Sequence, residues 1–206
     1  MAYGADFGPR IAILPLLGLV FAAGTAVASI APLWGRDLRR TPLFTYGMVV
    51  AHLGIAVALA GIASDSAFTR EMLVAVRVGE THRVGPYDVT LEEVTPAVGA
   101  NWSAIEARLS ARRGGGAPFT LAPQSRFFAK PLMVTSEAAI ATRLNGQLYT
   151  VLGQQDAAGR WQLRLWWKPF VTLIWLGGLL IAVGGTLSLI GRMRRDWRVA
   201  RSEAVA

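Results

Sequence analysis

Two histidines, no cysteine and a scatter of carboxylates are the main groups that this 206-residue sequence offers for metal binding or acid–base chemistry. The first histidine, His52, sits in the apolar run Tyr46-Gly47-Met48-Val49-Val50-Ala51-His52-Leu53-Gly54-Ile55-Ala56-Val57. An imidazole in hydrocarbon is unfavourable unless something takes its polar atoms. Desolvation also favours the neutral ring, the form that binds a metal. His52 is therefore either a structural residue bonded to a neighbouring helix or an axial ligand to a metal centre. At 100° per residue, Gly47, Ala51, Gly54, Ala58 and Gly61 share one stripe, the face expected to pack closely against another helix. Thr45, Met48, Ile55, Ala56 and Leu59 accompany His52 on a second face, where a flat apolar cofactor or another helix fits.

The second histidine, His82, lies beside an arginine and a Gly-Pro turn and reads as a solvated residue. No H-E-x-x-H, Gly-rich phosphate loop or Gly-x-Ser-x-Gly occurs, and Ser64-Asp65-Ser66 with a remote histidine is no triad. Without cysteine the chain makes no disulfide, C-x-x-C redox pair or thiolate metal site. The sequence by itself contains no complete active site.

More than half of the residues are apolar (53%), and the mean hydropathy is +0.40. This is the composition of a membrane protein with a water-exposed part. Residues 11–33 form one run long enough to span a bilayer. A cleaved signal peptide headed by Arg10, with cleavage near Ser29 or Ala31, is the rival reading. Pro42 suits the start of a second span over about 42–63. Val171 to Ile190 forms a third, with Gly177, Gly178, Gly184 and Gly185 as a second small-residue face. Trp166-Trp167-Lys168-Pro169 reads as re-entry into the membrane, with tryptophans at the interface and lysine snorkelling.

The net charge of +8 could suggest nucleic acid. However, Arg36, Arg39 and Arg40, and Arg192, Arg194, Arg195, Arg198 and Arg201, abut the apolar runs and fit cytoplasmic flanks instead. That places the N-terminus outside, the C-terminus inside and the segment between the second and third spans in the periplasm.

Residues 67–168 carry strand patterns. Strands are predicted at 72–78, 87–94 (Tyr87, Val89 and Leu91 on one face), 102–110, 119–121, 126–129, 133–135, 147–153 and 161–166. Arg112 to Ala117 reads as a flexible turn, and Asp156-Ala157-Ala158-Gly159 as a hairpin turn. The expected fold is an α+β membrane protein: residues 1–66 with two transmembrane helices, 67–168 a periplasmic antiparallel β domain, and 169–206 a third transmembrane helix with a basic tail. Pattern alone leaves a small sandwich or a barrel open.

These residues also resemble a family. Gly47-Met48-Val49-Val50-Ala51-His52-Leu53-Gly54 is similar to the histidine-bearing helix of CcmF, the haem lyase of bacterial cytochrome c maturation. Pro123 to Phe128, Thr135 to Ile140, Leu148 to Gly153, Lys168 to Val171 and Trp175 to Gly178 resemble its C-terminal third in order and spacing. The resemblance implies that His52 is one of two axial histidines of a transmembrane haem b that passes electrons from quinol. The implied partners are the N-terminal CcmF part, a CcmH-type thiol subunit, the haem chaperone CcmE and apocytochrome c, with no nucleic acid. The family's first transmembrane histidine, its tryptophan-rich WWD segment and that segment's flanking periplasmic histidines have no counterpart here; Trp166-Trp167-Lys168 is not that motif. The resemblance thus implies a split subunit, as in plant mitochondria, or a truncated product, inactive alone. The alternative expectation is a non-catalytic assembly subunit of the bacterial inner membrane that binds no haem.

Overall fold

The computed structural model describes residues 13–203. Arg10 and the first two residues of the predicted first span, Ile11 and Ala12, lie outside that range, as do residues 204–206. The chain divides into two compact units.

The helical unit contains α1 (Ile13–Ile30), α2 (Leu43–Phe68) and α3 (Thr172–Glu203). Together with their flanks, all three are long and apolar enough to cross a membrane, with mean hydropathies of 2.2, 1.9 and 2.1 over the apolar windows. Between α1 and α2, Asp37 caps a short 3-10 turn by accepting from the Arg39 N–H, and the Tyr46 hydroxyl donates to the Leu38 carbonyl. The α2 helix runs five residues past the expected end at 63. The α3 helix continues past Ile190 through the arginine-rich tail to Glu203, because arginine, methionine and alanine are good helix formers and no proline interrupts them.

Glycines on α2 and α3 interlock. A Cβ added at Gly47 would stand 2.6 Å from the Gly184 carbonyl oxygen, one at Gly54 2.7 Å from that of Gly177, and one at Gly61 2.8 Å from the Ile174 nitrogen. A Cβ at Gly191 would strike the Phe44 backbone. The order of these contacts makes the two helices antiparallel, joined along seven-residue glycine repeats that bring their backbones together. The α2 stripe expected from the sequence is this seam. On α3 only half of the expected face is used: Gly177 and Gly184 are buried in it, whereas a Cβ at Gly178 or Gly185 would meet nothing within 4 Å.

The β unit spans residues 68–169. Its strands are β1 (Arg70–Val76), β2 (Thr81–Val84), β3 (Tyr87–Val98), β4 (Trp102–Arg113), β5 (Phe119–Leu121), β6 (Gln124–Ala129), β7 (Leu132–Glu137), β8 (Ala139–Arg143), β9 (Gly146–Gln155) and β10 (Trp161–Pro169). One antiparallel sheet has the order β1-β10-β9-β8; the other has β2-β3-β4-β6-β7, with β5 also paired to β4. Tyr87, Val89, Leu91, Leu109 and Ala111 from the larger sheet and Val76, Leu148, Leu152, Leu163 and Leu165 from the smaller one form a single core. Two sheets sharing one core make a sandwich, which resolves the choice with a barrel.

Several local expectations change. The strands β2, short and polar, and β8, five residues with only small or exposed apolar side chains, were not expected, and Arg112 and Arg113 belong to β4, leaving Gly114–Gly116 as the turn. Trp167 is not a membrane-interface residue: it is 7% exposed, lies in the core and packs against Tyr87 with ring centroids 5.2 Å apart. Trp166 packs edge-on against Tyr149 at 5.3 Å.

Candidate functional site

The local fold decides how His52 presents itself. Its Nδ1 lies 2.8 Å from the Met48 carbonyl oxygen, one turn earlier on α2. A carbonyl only accepts, so Nδ1 carries the proton. In the neutral ring, Nε2 then keeps its lone pair, the tautomer adopted by metal-bound histidines that donate Nδ1–H to a backbone oxygen. The side chain is exposed, and Nε2 makes no hydrogen bond among the described residues.

The surroundings of the ring are narrower than the sequence suggests. Thr45, Ala56 and Ala63 lie within about 40° of His52 around the helix. They are 5%, 4% and 5% exposed. This is the side on which Ala63 meets Gly18 of α1. Thr45 and Ala56, on the face for which a cofactor or another helix was expected, are buried and therefore not available to a cofactor. The open flank is Met48, Ile55 and Ile62, which are 38%, 41% and 53% exposed. His52 thus stands at the edge of the α1 contact with one apolar flank free. A protonated Nδ1 held by backbone, a free Nε2 and an apolar margin fit one axial position of a haem. Among the described residues no group of three or more His, Cys, Asp or Glu could hold a metal ion by itself.

His82 is placed apart from any such arrangement, in β2 of the sandwich. It is half-buried instead of solvated. Its Nε2 is covered, lacks a hydrogen bond and lies 3.9 Å from a Glu80 carboxylate oxygen. One grouping was not foreseen. Arg113, Arg143 and Asn145, distant in sequence, line a depression of about 560 Å³ together with Tyr87, Phe119 and Leu144. No motif marks it, because two turns far apart in the chain create it.

Residues 67–169 match a family model described as the CcmF C-terminal beta-sandwich. The chain is 36% identical over 185 residues to the cytochrome c-type biogenesis protein CcmF of Escherichia coli strain K12, covering 89% of this chain and 29% of that protein. It is 33% identical over 195 residues to the protein of the same name from Haemophilus influenzae, covering 90% and 30%. The chain therefore spans about 30% of the length of these curated relatives. A solved structure named cytochrome c heme lyase CcmF shares the fold, with a TM-score of 0.64 and 22% identity over 92% of this chain and 36% of that one. With its sandwich matched throughout and its helices aligned to the same relatives, this chain belongs to the CcmF family.

Proposed function

We propose that this chain acts as the C-terminal part of a cytochrome c haem lyase, with His52 supplying one axial ligand to a haem b within the membrane. The observation that carries this reading is the free Nε2 of His52 on an apolar helix, with Nδ1–H donated to Met48. In hydrocarbon an imidazole nitrogen without a partner is unfavourable, and iron satisfies it. The bound haem would supply one-electron redox chemistry. The protein's own part is to fix the tautomer through Met48, to present Nε2 outward and to keep Met48, Ile55 and Ile62 against the group's apolar edge.

The second axial histidine comes from the N-terminal CcmF part. The arginine-flanked ends of the helices face the cytoplasm and the β sandwich faces the periplasm of a bacterial inner membrane. There the sandwich serves as a docking domain for apocytochrome c, the haem chaperone CcmE and a CcmH-type subunit. The CcmH-type subunit contributes thiols, which this sequence does not supply.

The test is co-purification with the N-terminal CcmF part. The expected result is a low-spin b-type spectrum that His52→Ala abolishes while the two parts still co-purify, and that His52→Gly with added imidazole restores. Unchanged absorbance in the alanine variant overturns the ligand assignment. A wild-type complex without haem absorbance leaves the non-catalytic assembly subunit as the function.

A further inference from the structure

The unforeseen depression lies within the sandwich, where the end of β4 and the start of β5 meet the tip of the β8–β9 hairpin. Arg113 is the last residue of β4 and faces Tyr87 across the β3–β4 ladder. Arg143 ends β8, and Leu144-Asn145 form the turn into β9. The Arg143 guanidinium stacks over the Phe119 ring, 5.2 Å from its centroid. Asn145 Oδ1, in the amide orientation its surroundings require, accepts from both terminal nitrogens of Arg113 at 2.9 and 3.3 Å.

Three features point to a ligand. Neither guanidinium has a carboxylate within ion-pair distance among the described residues, whereas Arg83, Arg108, Arg126, Arg160 and Arg164 of the same sandwich each have one. Two like charges lining one depression repel, and an anion between them relieves that repulsion. Tyr87, 1% exposed, is part of the lining, and its hydroxyl has no hydrogen-bond partner. An unpartnered buried hydroxyl is unfavourable, and an oxyanion supplies the missing acceptor. Finally, the walls are mixed: beside the arginines and Asn145 the lining carries the apolar Phe119 and Leu144, the latter 99% exposed. A ligand with an anionic head and an apolar remainder complements both.

We propose that this depression is an oxyanion-binding site for the head group of an amphipathic molecule. Arg143 binds the anionic oxygens through its planar fork and Arg113 through the N–H groups that Asn145 does not use, while Asn145 holds Arg113 in place and Leu144 meets the apolar part. The same oxyanion chemistry is offered by an anionic phospholipid head group and by a soluble aromatic carboxylate.

The full chain in neutral detergent, labelled at its four tyrosines, separates these sources by NMR, with the Tyr87 ring signal assigned by its loss in Tyr87→Phe. The expected result is a saturable Tyr87 shift with phosphatidylglycerol or with benzoate, and none with phosphatidylcholine. A response to phosphatidylglycerol alone identifies a lipid head group, and a response to benzoate alone a soluble carboxylate. Arg113→Gln combined with Arg143→Gln should remove the shift while the other tyrosine signals stay in place. The double lysine variant, which keeps the charge without the fork, should fold and bind about tenfold more weakly. No saturable shift with either anionic probe, an equal response to phosphatidylcholine, or wild-type affinity in the double lysine variant overturns the site.

Discussion

Gly54 of α2 and Gly177 of α3 face each other so closely that a methyl on either would stand 2.7 or 2.6 Å from the other's carbonyl oxygen. Neither position has room for a side chain, while Gly178, next along α3, is open. Gly177→Ala should lower the unfolding temperature in detergent, at a cost of about 1–3 kcal/mol from overpacking. Gly178→Ala should leave it within about 0.5 kcal/mol of the parent. Equal effects from the two substitutions would place the α2–α3 seam elsewhere.

Trp167 belongs to the sandwich core, and Gly85 is tied to it. Gly85 has φ +56, and a Cβ there would stand 2.5 Å from Trp167 Cγ. Trp167→Ala should destabilise the β unit by about 3–5 kcal/mol. Gly85→Ala should destabilise it as well, through steric clash and the positive φ. Near-ultraviolet circular dichroism during chemical denaturation of the full chain measures both. A membrane-interface tryptophan would leave the β transition unmoved.

The β9–β10 hairpin carries a pH signature. One oxygen of Asp156 accepts from the Arg160 and Ala158 backbone N–H groups, both at 2.9 Å, and the other binds the Arg160 side chain. The Arg160 backbone bond is the largest cause holding this carboxyl below its ordinary value. A depressed folded pKa contributes stability above the unfolded value, about 3.9 for aspartate. That contribution is lost as pH falls through the lower folded value. Asp156→Asn should therefore melt below wild type at neutral pH, and the gap should close on acidification below about pH 4. A gap that stays constant to low pH would assign the effect to something other than the charge.

His82 offers no exposed nitrogen pair for ligation, since its Nε2 is covered. His82→Ala should leave cytochrome c maturation near the wild-type level in cells carrying the full-length family protein. Complete loss of maturation with normal protein levels would give this residue a direct role.

The orientation proposed from the arginine clusters has its own readout. A reporter fused after Ala206 should behave as cytoplasmic and one inserted at Gly115 as periplasmic. The reverse pattern would reject the three-span arrangement.

The periodic features of this protein could be read from its sequence. The glycine stripe of α2, the presence of three apolar helices and the Tyr87-Val89-Leu91 face follow from apolar runs and from repeats of 3.6 and 2 residues that belong to single elements. So does the isolation of His52 from the glycine stripe. What neighbouring elements impose was not legible. Gly177 and Gly178 are equivalent in sequence, and only the approach of α2 buries one and leaves the other open. Trp167 carries the local signature of a membrane interface, yet the facing sheet places it beside Tyr87. The short strands β2 and β8 are too brief for their own patterns to mark them, and they pair with β3 and β9. Arg113 and Arg143, in separate hairpins, share a depression only because the two sheets pack face to face. A residue's face within its own element is a local property of the chain. What lies opposite that face depends on contacts between residues far apart in sequence, and only the tertiary structure decides those.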